Sequence, residues 1–122
     1  MSDAARRTGP ALEAHQDFML WLIPTLEKFP RSQRFLLGDR IESTALDVLE
    51  RLIEATYSRE RQNALRSANL GLEKLRHLLR LARGLGYLDP RRHEHAVRGL
   101  DETGRLVGGW LKADRKADAS PT

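Results

Sequence analysis

Residues 75–90 read LRHLLRLARGLGYLDP and combine a leucine-rich helical segment with the signals that end it and start the next. Apolar residues at helical spacing form a line that begins upstream of this stretch and continues through it: Leu65, Ala68, Leu72, Leu75, Leu79 and Ala82. Gly84-Leu85-Gly86-Tyr87 predicts a glycine-rich helix end, and Asp89-Pro90 predicts an N-cap followed by proline at the first helical position. We therefore predict a helix from about residue 60 to 85 and another from about residue 90 to 112.

Two more helices are predicted upstream, from about residue 12 to 28 and from about residue 32 to 56. Phe29-Pro30 ends the first, because a residue before proline is pushed out of helical dihedrals, and Ser32 is a candidate N-cap for the second. Nothing alternates with a period of two. The prediction is an all-α fold, an antiparallel up-down-up-down four-helix bundle over residues 11–112, with disordered tails at 1–10 and 113–122.

Composition limits the setting of the protein. The 122 residues include no cysteine, which excludes disulfides and thiolate metal sites and fits a reducing compartment. The longest apolar run, FMLWLI at 18–23, is far shorter than the about 20 residues of a membrane span. We expect a soluble, cytoplasmic protein without a membrane partner.

Charge is unevenly distributed along the chain. The net charge is +4, but Asp39 to Glu54 carries −3 and Arg59 to Arg92 carries +6. Such asymmetry favours a surface for an anionic partner, although a solvated arginine-rich helix face is the alternative.

Arginines share one face of the third helix. Arg76, Arg80 and Arg83 are spaced i, i+4, i+7, a like-charge arrangement that costs stability but suits bidentate phosphate binding. This spacing predicts an anion-binding strip. Arg66 and Lys74 lie near its edge, and Arg91 and Arg92 follow just past the turn.

A second apolar line, Leu70, Leu78, Leu81 and Leu85, is rotated away from the first. It indicates either a wide core face or self-association. Gly104 and Gly108, with Trp110 beside them, suit either tight packing within the chain or a subunit contact. The predicted subunit contacts are Leu78, Leu81, Leu85, Gly104, Gly108 and Trp110.

Three segments carry a resemblance to a known family: WLIPTLEKFPRSQRF (21–35), LRHLLRLARGLGYLDPRRHEHA (75–96) and GRLVGGWL (104–111). Over about residues 14–112 the chain closely resembles the accessory variability determinant family of diversity-generating retroelements. This family is related to four-helix-bundle proteins encoded in intervening sequences of ribosomal RNA genes.

The resemblance implies a non-catalytic accessory protein that forms a homopentameric, ring-like assembly with a basic surface. It implies binding to a reverse transcriptase and to template RNA, with DNA or an RNA/DNA hybrid as other nucleic-acid partners, in support of mutagenic cDNA synthesis. Arg76 and Arg80 match the family's basic helix, and Arg31 and Arg105 match further family positions. Arg83, Arg91 and Arg92 come from spacing alone.

No catalytic or metal constellation is predicted. In His93-Glu94-His95 the two imidazoles would point about 200° apart on a helix, so they cannot share an ion. We expect no enzyme activity and no cofactor. Two alternatives remain open: a scaffold that binds only protein, and a stand-alone protein acting on ribosomal RNA.

Overall fold

The computed structural model describes residues 2–119, with side chains described over residues 9–117. Its four long helices are α1 (Ser2–Leu26), α2 (Asp39–Tyr57), α3 (Gln62–Gly84) and α4 (Pro90–Ala119). No strand occurs within the described residues, and the predicted all-α fold is confirmed. No helix in this part of the chain is long and apolar enough to cross a membrane.

The predicted second helix begins irregularly. A turn of α-helix (Arg31–Gln33) and a π-helical turn (Arg34–Gly38) precede α2. Pro30, with φ −51° and ψ 140°, occupies the N-cap position, and no side chain caps this end. The prediction that Ser32 is the N-cap is therefore wrong, because Ser32 already lies inside the first turn.

Helices extend into both predicted tails within the described residues. Helix α1 begins at Ser2 and is interrupted at Gly9, whose φ of 76° is left-handed, before Pro10 starts the regular run. Helix α4 continues to Ala119. Met1 and residues 120–122 lie outside the described residues.

Side-chain contacts place neighbouring helices in antiparallel order. Between α1 and α4, Trp21 stacks on His95 with ring centroids 4.4 Å apart, and Phe18 lies against Gly99. Between α3 and α4, Gln62 Nε2 donates to Asp114, while Arg76, further along α3, pairs with Asp101. In each pair of helices, residue numbers rise along one helix as they fall along the other, as expected for an up-down bundle.

The predicted helical lines form the core. All six members of the α3 line are buried, and α2 contributes a second buried line: Ile41, Ala45, Val48, Leu52 and Ala55. Two glycines bring helices close together. A Cβ at Gly71 would lie 2.5 Å from Cγ2 of Val48, and one at Gly99 would lie 2.5 Å from Cδ1 of Phe18.

The corner between α3 and α4 has the predicted geometry. Gly86 adopts a φ of 81°, its N–H donates to Arg83, and the N–H of Tyr87 donates to Ala82, which completes a Schellman motif. Asp89 then caps α4, because its Oδ1 accepts from the N–H of Arg92 at 2.8 Å. This rigid corner sets the direction of the arginines on both sides of it.

Candidate nucleic-acid interface

The last turns of α3 and the first turns of α4 bring basic residues together. Arg80 and Arg83 are exposed, and neither pairs with a carboxylate in the described part of the chain. Burial, followed by the positive charges of Arg83 and Arg80, lowers the pKa of His93 below its ordinary value of 6.5. The arginine charges of α3 therefore reach across to α4.

The connection between α1 and α2 adds further cations to the same end of the bundle. Phe29 stacks on Tyr87 with ring centroids 5.9 Å apart, which ties this connection to the α3–α4 corner. Lys28 lines a groove together with Arg91 and Arg92. The surface that we call the basic end comprises Lys28, Arg31, Arg34, Arg80, Arg83, Arg91 and Arg92.

Charge is polarised along the bundle axis. Residues 20–40 and 77–98, which comprise the basic end and the helix turns next to it, contain nine basic and four acidic residues, a net of +5. The other described side chains, in residues 9–19, 41–76 and 99–117, contain ten basic and eleven acidic residues, a net of −1. The excess positive charge is therefore concentrated at this end of the bundle.

Arg76 is compensated, unlike its neighbours on the predicted strip. Its Nη1 lies 2.5 Å from Oδ1 of Asp101, and its Nε lies 3.3 Å from Oε2 of Glu73. The guanidinium lies beside Gly104, where a Cβ would be in ordinary van der Waals contact with Nη2 of Arg76 at 3.5 Å. The strip is thus interrupted at the position nearest the middle of the bundle.

The structure divides the nine predicted nucleic-acid-binding residues into two groups. Five belong to the basic end: Arg31, Arg80, Arg83, Arg91 and Arg92. Four lie outside the basic end: Arg66, Lys74, Arg76 and Arg105. Arg105 pairs with Glu102 at 2.7 Å, and Arg92 pairs with Asp89 at 2.6 Å.

Sequence reasoning missed Lys28 and Arg34. The guanidinium of Arg34 lies 4.8 Å from the ring centroid of Phe35, an exposed aromatic residue. A signal was present, because both cations flank the Phe29-Pro30 break, and an up-down bundle places this break at the same end as the α3–α4 corner.

The predicted subunit contacts lie on two helices. Leu81 and Leu85 of α3 are about half exposed, at 53% and 52%, whereas Leu78 is partly buried beside the α2–α3 groove. On α4, Trp110 is partly buried, and a Cβ at Gly108 would meet open space. Close packing within the chain therefore occurs at Gly71 and Gly99, and neither Gly104 nor Gly108 provides it.

A second exposed apolar line follows α2. Leu46, Ile53 and Tyr57 are exposed, with Leu49 partly buried between them. This line was visible in the sequence as a row beside the core positions of α2. The α3 leucines and this row give the protomer two apolar surface strips.

The histidines do not form a metal site. His95 stacks on Trp21, and Glu94 pairs with Arg98 at 2.8 Å. No group of three His, Asp or Glu side chains among the described residues could hold a metal ion. His15 is fully buried, its Nε2–H donates to the carbonyl of Ala45 at 2.8 Å, and its Nδ1 has no partner.

Comparison with known proteins assigns the chain to a family. None of the curated proteins compared with the chain matches it. The model of the bAvd-like family matches residues 11–113, a span that includes α2, α3, most of α1 and α4, and every residue of the basic end. The chain therefore belongs to the bAvd-like family.

Proposed function

We propose that this protein is the non-catalytic accessory subunit of a diversity-generating retroelement and binds both the reverse transcriptase and its template RNA. Family membership supports the accessory role. The observation that carries the RNA-binding part is the charge at one end of the bundle, with a net of +5 in residues 20–40 and 77–98, which contain the α1–α2 and α3–α4 connections. Protein cations arranged on one face neutralise phosphates and release their counterions, which drives nucleic-acid binding.

The phosphate contacts are assigned to the uncompensated cations of the basic end. Arg31, Arg80, Arg83 and Arg91 are exposed and have no carboxylate partner among the described residues. Each can therefore offer its guanidinium fork to a phosphate without first breaking an ion pair. Arg76 and Arg105 must give up a carboxylate, so they contribute less.

The proposed assembly is a ring-like homopentamer in the cytoplasm, where it meets the reverse transcriptase and the template RNA. The exposed leucines Leu81 and Leu85, with Leu78, Gly104, Gly108 and Trp110, are the proposed subunit contacts. A ring would place several basic ends close together and strengthen the field of each. Sedimentation should give a species about five times the 13.9 kDa protomer mass. A 13.9 kDa species alone would contradict the ring.

The test of RNA binding uses two variants that remove equal charge. The end variant replaces Arg31, Arg80, Arg83 and Arg91 with Gln. The distal variant replaces with Gln four exposed cations that lie away from the basic end: Arg59, Arg66, Lys112 and Arg115. In a titration of labelled single-stranded template RNA, the end variant should lose at least about tenfold in affinity, whereas the distal variant should stay within about twofold of wild type.

Equal losses in the two variants would contradict the assignment to the basic end. Co-purification of the reverse transcriptase, with and without ribonuclease, separates the proposal from the protein-only scaffold. We expect the complex to retain template RNA and to weaken after ribonuclease treatment. A complex that forms equally well without RNA, with no RNA affinity in the accessory protein, would favour the scaffold.

A further inference from the structure

A groove at the basic end combines an aromatic floor with a cationic rim. It lies between the last turns of α1 and the first turns of α4. Trp21, Thr25 and Lys28 line it from α1 and the residues after it, and Arg91, Arg92 and His95 line it from α4. The spacing of residues along one helix does not reveal this groove, because it requires two helices that are distant along the chain.

The floor is a fixed aromatic stack. The ring centroids of Trp21 and His95 lie 4.4 Å apart at an interplanar angle of 37°. The ring of Phe18 packs against Trp21 with a centroid distance of 5.9 Å. Phe18 is itself buried, and it packs directly against the backbone of Gly99. Trp21 is partly buried and lines the groove, so part of its indole is accessible from the groove.

The turn that carries Trp21 is also held in place. Pro24 lacks an N–H and weakens the local helix, but the hydroxyl of Thr25 donates to the carbonyl of Trp21 at 2.8 Å. This bond lies within one helix turn, and the position of Trp21 is set by its contacts with Phe18 and His95. The aromatic surface is therefore positioned before any ligand arrives.

The rim selects an anion. Lys28 and Arg91 have no carboxylate partner in the described part of the chain. Asp89 is the groove's acidic residue, and its two oxygens are occupied by the N–H and the guanidinium of Arg92. A ligand that enters the groove thus meets an aromatic face flanked by two available positive charges.

We propose that this groove binds one unstacked nucleotide of a single strand, with its base on the Trp21–His95 pair and its phosphates on Lys28 and Arg91. Single-strand-binding proteins combine these two elements, base stacking on an aromatic ring and a cationic path for the backbone. A base inside a duplex has no free face for such stacking, so the groove distinguishes single strands from duplexes. The inference rests on the proposed function, since it places this nucleotide at the basic end.

The test compares two labelled oligomers of equal length and charge: a single-stranded oligoadenylate and an abasic strand with the same number of phosphates. Wild-type protein should bind the oligoadenylate about tenfold more tightly than the abasic strand, within the range that base stacking contributes. In Trp21→Leu this ratio should fall to about one, and in Trp21→Phe, which keeps a ring, it should be largely retained.

Tyr57→Leu is the matched control. Tyr57 is 74% exposed and lies away from the basic end, among residues with a net charge of −1. Its loss should leave the ratio of the two strand affinities unchanged. Binding to a blunt duplex of the same length should be equal in wild type and Trp21→Leu. Circular dichroism of each variant should match wild type.

Each other outcome overturns the inference in a distinguishable way. Equal wild-type affinity for the two strands would mean that only phosphates are bound; the groove would then be left to a protein partner, and the proposed function would survive. A Trp21→Leu loss that is equal for both strands would make Trp21 structural only. Failure of wild type to bind either strand would overturn the proposed function together with this inference.

Discussion

Gly71 lies where α2 and α3 pack most closely, so one added methyl group there tests the described packing. A Cβ at this position would lie 2.5 Å from Cγ2 of Val48, which is buried. A β-branched side chain cannot swing away, and such overpacking costs about 1–3 kcal/mol. Alanine regains about 1 kcal/mol of helix propensity, so Gly71→Ala should lower the free energy of unfolding by about 1 kcal/mol. The Tm should fall by about 4 °C.

Urea and thermal unfolding followed by circular dichroism measure this change. Gly109→Ala is the matched control, because a Cβ there meets open space, and it should raise the free energy of unfolding by up to about 1 kcal/mol. In a Val48→Ala background the clash is relieved, so Gly71→Ala should cost about 2 kcal/mol less than in wild type and become slightly stabilising. A Gly71→Ala protein as stable as Gly109→Ala would show that α2 and α3 do not pack this closely.

Single side chains allow three further tests. Burial lowers the pKa of His15 below 6.5, so the unfolded chain binds the proton better, and the Tm should fall as the pH drops below 6.5. His15→Leu should reduce this dependence of Tm on pH, whereas His77→Gln, at an exposed site, should not. An unchanged pH dependence in His15→Leu would show that His15 is not the responsible group. Asp89→Ala should lower the free energy of unfolding by about 1 kcal/mol in urea titrations, and Asp89→Ser should recover most of it; equal stability of Asp89→Ala and wild type would rule out the cap. Asp101→Asn should release Arg76 and raise RNA affinity by about threefold in anisotropy titrations, and unchanged affinity would place Arg76 outside the interface.

Local signals allowed much of the fold to be predicted. The α3 line from Leu65 to Ala82 recurs at helical spacing and is buried throughout. Gly86 adopts a left-handed φ, and Asp89 caps the following helix. Both effects involve residues close in sequence, so the local sequence predicts them. The same holds for the break at Phe29-Pro30.

The candidate site was only partly predictable, because its properties depend on neighbours distant in sequence. Helical spacing places Arg76 on a face with Arg80, but it cannot show that Asp101 of α4 neutralises Arg76. Nor can it show that Lys28 reaches the groove beside Arg91. Partners across helices depend on rotation and register, which the pattern of one helix leaves open.

Phosphate binding at the basic end is the central claim, and the salt dependence of RNA affinity measures it directly. For a single strand, the slope of log K against log salt becomes shallower by about 0.7 for each phosphate that the protein no longer neutralises. The end variant should therefore have a slope shallower by about 2.8, while the distal variant, from which the same charge is removed, keeps the wild-type slope. Equal slopes for the two variants would contradict phosphate binding at the basic end.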